Sequence, residues 1–268
     1  MSTSDYARSV AEQFRGETAR RVEAIYLTPD VAAQRDAVLE RLALQRGERV
    51  LDVGSGPGLL AEQMAARVGP TGEVVGVDIS ESMVRMARDR CRHLPQVSFE
   101  QAEATGLPSV AGRFDVVVCT QVLEYVPDVE AAIAELVRVL RPGGRLAVMD
   151  TDWRSCVWAS GDEERMRRII DAWDLHCAHP RLPRVLKPML EAAGLDRVRV
   201  EVVPLVNAGF RPDSYSAGMT DVIAGFVAKS GVVSQDEIAA WREDLAACAA
   251  SGRYFFSLNR YLCIASKH

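Results

Sequence analysis

The chain has 268 residues, 48% of them hydrophobic and 26% charged, which is material for one α/β domain with an elaborated cap. A net charge of −5 without a long basic run gives no support for a nucleic-acid partner. No stretch approaches the ~20 apolar residues of a membrane span, and residues 1–20 lack the apolar core of a secretory signal.

The six cysteines, Cys91, Cys119, Cys156, Cys177, Cys248 and Cys263, are widely spaced and form no C-x-x-C pair. Reduced, buried thiols in a cytoplasmic protein are the expectation. Nothing in the spacing forces Cys119, Cys156 and Cys177 together, as thiolate chemistry on a metalloid would require, and no metal-ligand cluster is visible.

Residues 1–45 read as amphipathic helix broken at Thr28-Pro29-Asp30, with Thr28 expected to cap a helix from Pro29 to Leu44. An alternation follows. Strand-like runs at Arg49–Val53, Glu73–Val77, Val97–Gln101, Phe114–Cys119 and Arg145–Asp150 are separated by helix-like runs at Leu59–Val68, Ser82–Cys91 and Val129–Leu140. Ser80 and Asp128 are placed to cap helices, and Arg141-Pro142-Gly143-Gly144 ends one. Short strands alternating with helices imply a parallel sheet covered on both faces.

After Asp150 the rhythm changes. Helices are expected around Glu163–Cys177 and Pro183–Ala193, a strand at Arg197–Val203, two helices at Ser214–Ser230 and Gln235–Ala250, and a last strand within Arg253–Ser266. This gives three parts: a helical cap at 1–45, a core at 46–206 and 253–268, and an inserted helical lid at 207–252.

The loop after the first strand carries the sharpest chemical signal. Glycines at 54, 56 and 58 let backbone approach a ligand closely, and the next helix aims its N-terminal N–H groups at the same place. Asp52 sets a carboxylate beside that opening. A dinucleotide fingerprint wants a third glycine at 59, where this chain has Leu, so the spacing disfavours a nicotinamide dehydrogenase. Asp78 ends the second strand, where an acid can accept hydrogen bonds from both hydroxyls of a ribose.

The run Val50-Leu51-Asp52-Val53-Gly54-Ser55-Gly56-Pro57-Gly58 resembles the first motif of class I S-adenosylmethionine-dependent methyltransferases, in the small-molecule branch similar to ubiquinone/menaquinone-biosynthesis enzymes. Val77–Met83, Phe114–Asp128 and Leu136–Leu146 resemble the later motifs in the same order, so the likeness covers about residues 45–150. It implies a Rossmann-like, doubly wound, mostly parallel seven-stranded sheet with an antiparallel last strand and a helical cap. It further implies S-adenosylmethionine as cofactor and S-adenosylhomocysteine as product.

By position, Gly54, Ser55 and Gly56 would line the methionine and ribose portion, Asp78 would hold the ribose, and Ile79 and Met83 would pack on adenine. Glu103-Ala104 stands where the family often has Asp-Ala, whose carboxylate meets the adenine amino group; Glu for Asp is a departure, one methylene longer. Thr120 and Gln121 would lie beneath the methionine portion, and Tyr26 and Arg35 could close over the cofactor or simply pack.

Beyond Asp150 the resemblance fades. Asp152 follows the fifth strand at the sheet edge where ligands bind, and His176 or His179 could act as a general base. Trp153, Trp158 and Phe226 are candidates for an apolar acceptor wall, with plain core packing as the competing reading. The expected activity is methyl transfer to an oxygen, carbon or nitrogen of a small, partly hydrophobic metabolite, by a protein that binds neither nucleic acid nor membrane. A homodimer is compatible with the sequence. The competing reading is the same cofactor-binding fold used as a non-methylating cyclisation or pericyclic catalyst, or as a scaffold.

Overall fold

The structure, a computed structural model, describes residues 16–268, so the first fifteen residues of the expected 1–45 cap lie outside the described residues. The chain opens with helices α1 (Gly16–Tyr26) and α2 (Pro29–Leu42), then alternates β1 (Arg49–Val53), α3 (Leu59–Val68), β2 (Glu73–Asp78), α4 (Glu81–Cys91) and β3 (Val97–Gln101). It continues through β4 (Phe114–Thr120), α5 (Val129–Val139), β5 (Leu140–Thr151), the two-residue β6 (Val157–Trp158), α6 (Glu163–Trp173) and α7 (Pro183–Ala192). The long β7 (Leu195–Ala208), the helices α8 (Tyr215–Ser230) and α9 (Gln235–Ala250), and β8 (Phe255–Lys267) complete it.

The strands form one sheet in the order β3-β2-β1-β4-β5-β8-β6, with β7 paired to β8. Pairs from β3 to β5 are parallel, and β8 runs antiparallel to β5, β6 and β7. Since β7 occupies one edge of β8 along its length, β5 and β6 share the other. The eighth strand, β6, is the addition to the expected seven. The order reverses between β1 and β4, which opens a crevice at their carboxyl ends, where open α/β sheets bind ligands.

Local chemistry sets most boundaries. Ser80 caps α4 by accepting from Met83 N–H, and Asp128 caps α5 by accepting from Ala131 N–H at 2.9 Å. Thr28 stands at the N-cap of α2, but its side chain makes no capping hydrogen bond. Its hydroxyl donates backwards to the Ile25 carbonyl at 2.7 Å, and Asp30 instead accepts from Tyr215 N–H and Asn207, tying α2 to the start of α8. The helix expected over Glu163–Cys177 stops at Trp173 and tightens into a 3-10 turn over Asp174–His176.

Three apolar clusters follow from this layering. One packs α2, α3 and α4 on a sheet face through Val38, Met64 and Val84, and another packs α5 and α7 on the opposite face through Ile133, Leu136 and Leu186. The third lies above the strand ends. There Trp173 of α6 joins Ile223 of α8, Trp241 of α9 and Ile25 of α1. Helix α6, which the sequence assigned to the core, therefore packs with the inserted pair.

Gly76 of β2 marks where the sheet leaves no room under the cofactor loop. A Cβ there would lie 2.4 Å from Phe99 Cδ1 and 2.9 Å from Ser55 Oγ. Gly76→Ala is expected to lower unfolding free energy by about 1–3 kcal/mol, as overpacking does. Urea denaturation checks this, and an unchanged midpoint would contradict it.

Candidate active site

The crevice holds two cavities that share one wall. The first is lined by the loop after β1 (Gly54, Ser55, Gly56), by Asp78, Ile79 and Met83 after β2, by Glu103 and Ala104 after β3, and by Thr120 and Gln121 after β4. Tyr26 and Arg35 of the N-terminal helices close it. Every expected cofactor residue lines this cavity except Asp52, which is buried beneath the loop.

The loop geometry explains its glycines. Gly54, Gly56 and Gly58 all have positive φ, and a Cβ on Gly54 would fall 2.0 Å from Val122 Cγ2, so the β1 and β4 loops approach as closely as backbone allows. Val77 O of β2 accepts from Gly54 N–H at 2.7 Å and Ser55 N–H at 3.0 Å, fixing the loop to the sheet. Asp78 accepts from Gly56 N–H at 2.9 Å and Ser80 N–H at 2.8 Å. Burial raises its carboxyl, and those two N–H groups pull it back.

Asp52 is pushed up to about 7, first by burial and then by Asp78, and its Oδ2 has no partner. Ser55 Oγ, buried as well, also lacks one. Open backbone, unpartnered buried oxygens and a carboxylate at the ribose position fit the adenosine-bearing cofactor that the sequence resemblance implies.

The second cavity lies between α1, the 3-10 turn over Asp174–His176 and α8. Trp153, Trp173, His176, Phe226, Met219 and Val222 line it. Trp153 meets Trp173 edge-on at 5.5 Å, and Trp173 stacks on His176 at 3.7 Å between centroids. The His176 ring has a defined tautomer. Its Nδ1 lies 2.5 Å from the Trp173 carbonyl, which can only accept, so Nδ1 carries the hydrogen and Nε2 is left with a free lone pair and no partner. Burial lowers the His176 pKa to about 4, so the ring is neutral at pH 7.

Tyr26, Gln121, Tyr125 and Arg260 line both cavities and form the junction between them. Gln121 sits there with φ of 58°, an uncommon conformation for a side-chain-bearing residue. Its N–H donates to Met149 O at 2.6 Å and its Oε1 accepts from the Thr151 hydroxyl at 2.6 Å, so the β4 and β5 ends hold it in place. Glu124, only 1% exposed, accepts from Thr151 N–H at 3.3 Å and is pushed up to about 7, chiefly by burial.

Besides Asp52, three expected site residues line neither cavity. Asp152 spends its carboxylate on the Arg184 side chain at 2.8 Å and on Arg154 N–H at 3.0 Å, facing α7. His179 bonds the Pro127 carbonyl at 3.2 Å. Trp158 is enclosed between Trp241 and Phe256 as cap core. Conversely, Glu124, Tyr125, Trp173, Tyr215 and Arg260 belong to the cavities and were missed. Arg260 had left a signal: it is the single charge in the apolar run Tyr254–Ala265.

Residues 50–144 match a family model described as a methyltransferase domain. The chain is 35% identical over 182 residues to the ubiquinone/menaquinone biosynthesis C-methyltransferase UbiE of Stutzerimonas stutzeri, covering 60% of this chain and 70% of that protein. It is 41% identical over 129 residues to an uncharacterized 37.1 kDa protein in transposon TN4556 of Streptomyces fradiae, covering 48% of this chain and 37% of that protein. The chain thus spans just over a third of that transposon protein, and 61% of UbiE from Erwinia tasmaniensis.

Among solved structures, phosphoethanolamine N-methyltransferase 2 of Haemonchus contortus with S-adenosylmethionine aligns at TM-score 0.65 and 19% identity, over all of this chain and 60% of that one. The [4+2]-cyclase SpnF aligns at TM-score 0.56 and 24% identity, over 88% and 80%. Both likenesses are of fold.

Two predictions follow from the site geometry. A buried neutral His176 leaves the unfolded chain binding the extra proton between pH 6.5 and about 4, so its contribution to stability falls as pH drops through that window. Wild type should lose stability relative to His176→Phe by up to about 1.4 kcal/mol per pH unit there. Denaturant titrations of both proteins from pH 7.5 to 4.5 test this, and a constant difference would contradict it. At position 121, Gly should exceed Ala in stability by about 1 kcal/mol, because only Gly adopts the left-handed backbone freely; equal melting temperatures would rule out the strain.

Proposed function

The chain belongs to the class I S-adenosylmethionine-dependent methyltransferases, and on that premise we propose that it methylates an oxygen, carbon or nitrogen of a small, partly hydrophobic metabolite by in-line displacement. One observation carries this reading: the cavity built for the cofactor and the aromatic cavity meet at Tyr26, Gln121, Tyr125 and Arg260. An acceptor in the second cavity then reaches the reacting centre without crossing solvent.

The cofactor supplies a methyl group already activated on a sulfonium centre. What remains for the protein is alignment and exclusion of water, and alignment is worth ~7–11 kcal/mol in favourable cases. Asp78 and the glycine loop hold one partner, while Trp153, Trp173 and Phe226 present flat apolar walls to the other. His176 Nε2 offers a lone pair to an O–H or N–H of the acceptor. Of the expected catalytic candidates, His176 is therefore the one we retain, as a hydrogen-bond acceptor.

Helices α1 and α8 form the lid in this reading. Thr18, Val22 and Ile25 of α1 face Met219, Val222 and Phe226 of α8 across the acceptor cavity. The two helices meet where Gly218 leaves space, since a Cβ there would lie 2.7 Å from Ile25 Cγ1.

S-adenosylhomocysteine should raise the melting temperature, because a ligand selective for the native state stabilises it. Asp78→Ala should weaken that binding by about 100-fold, the loss of two hydrogen bonds to a charged acceptor. Calorimetry measures it, and a change below about threefold would remove Asp78 from the site. With labelled S-adenosylmethionine and a panel of phenolic, quinone and indole acceptors, S-adenosylhomocysteine should be released. Tight cofactor binding with no release across acceptors that are themselves rearranged would favour the non-methylating cyclase reading.

A further inference from the structure

The acceptor cavity contains a cation to which no carboxylate of the described residues hydrogen-bonds. Arg260 lies on the buried face of β8, two residues from Leu258 and two from Leu262, and is 4% exposed. Its hydrogen bonds go to neutral groups: Nη1 donates to Gln34 Oε1 and Nη2 to the Tyr215 hydroxyl at 3.4 Å, while Nε has no partner. The guanidinium carbon sits 5.2 Å from the Tyr215 ring centroid.

No carboxylate among the described residues hydrogen-bonds to this guanidinium. The acids that feel its charge are Glu124 and Asp150. Glu124 accepts from Thr151 N–H, and Asp150 Oδ1 accepts from Val122 N–H at 3.0 Å and Glu124 N–H at 3.4 Å. Burial raises both carboxyls, Glu124 to about 7, so they compensate Arg260 incompletely near neutral pH.

A buried cation without a full counter-charge is costly, and an incoming anion removes that cost. The place of the charge matters as well. Arg35, whose Nε also lacks a partner, lines the cofactor cavity alone, whereas Arg260 lines both. Further out, Arg21, which is paired with Glu17 at 2.7 Å, and Lys229 line the acceptor cavity, and Asp221, which lines it too, is paired with Arg242.

We propose that the acceptor binds as an anion, its ionised oxygen (carboxylate, phenolate or enolate) paired with Arg260 at the junction and its apolar body against Trp153, Trp173 and Phe226. This rests on the methyltransferase reading, which places an acceptor in that cavity, and it narrows the substrate class. Arg260 is then a binding and specificity residue, holding the charged end of the acceptor next to the cofactor cavity.

Trp153 and Trp173 line the cavity, so tryptophan fluorescence reports its occupancy. Protein saturated with S-adenosylhomocysteine would be titrated with three matched pairs: benzoate and benzamide, 1-naphthoate and 1-naphthamide, indole-3-acetate and indole-3-acetamide. The anion of at least one pair should bind about tenfold more tightly than its amide, Arg260→Lys should keep part of that preference, and Arg260→Gln should reduce it below about twofold. The wild-type comparison stands even where a variant folds poorly. Equal affinity within every pair, binding by none of the anions, or a preference that survives Arg260→Gln would overturn the proposal. So would a greater loss of S-adenosylhomocysteine affinity than of anion affinity in Arg260→Gln, which would assign the guanidinium to the cofactor. Failure of the wild type to bind S-adenosylhomocysteine would instead overturn the methyltransferase reading itself.

Discussion

The site depends on the contact between the loop after β1 and the loop after β4. Val122 occupies the space that a side chain on Gly54 would need, and Gln121 beside it is held in left-handed backbone by Met149 and Thr151. Gly54 and Ser55 are tied to β2 through Val77 O. Four strands thus meet at the point where the sheet order reverses, and the crevice there inherits their rigidity. A side chain at position 54 would force the two loops apart, and with them the shared wall of the two cavities.

Above this rigid floor the construction changes character. The cap has its own apolar cluster, in which Trp153, Trp158, Trp173 and Trp241 pack with Phe256 and Ile223. Among the polar groups inside it, His176 is held by the Trp173 carbonyl, Tyr254 by Ser216 at 2.9 Å, and Arg260 by Gln34 and Tyr215. The low dielectric that raises Glu124 and lowers His176 also strengthens any interaction an acceptor makes there. In the proposed reading, cofactor recognition therefore rests on backbone and loops, and acceptor recognition on a small set of buried polar side chains in an aromatic shell.

The floor was legible in the sequence for a physical reason. Glycine at 54, 56 and 58, a carboxylate at 78, and helix caps at Ser80 and Asp128 act through their immediate neighbours, so their spacing carries their meaning. Alternating strands and helices also leave little freedom in a parallel sheet, and its order follows. The differences arose mainly where partners are distant in sequence. Thr28 holds the expected N-cap place without a side-chain cap, and the tie at that helix start is instead made by Asp30, which accepts from Tyr215 N–H. Asp152 stands at the right sheet edge, yet Arg184, thirty-two positions on, draws it away from the cavity.

By itself the sequence determined the fold class, the cofactor loop and the order of its motifs, because those features are encoded in short windows and in the period of apolar residues. Only the tertiary structure decided which residues line the second cavity. Trp153 and Trp158 are five positions apart and chemically alike, but one lines the cavity while the other is sealed between Trp241 and Phe256. Arg260 reads in the sequence as one charge in an apolar strand, and it acquires the role proposed for it only when the fold buries it beside Gln34, Tyr215 and Glu124. Burial and long-range pairing set the charge and direction of such groups, and neither is written in the local spacing.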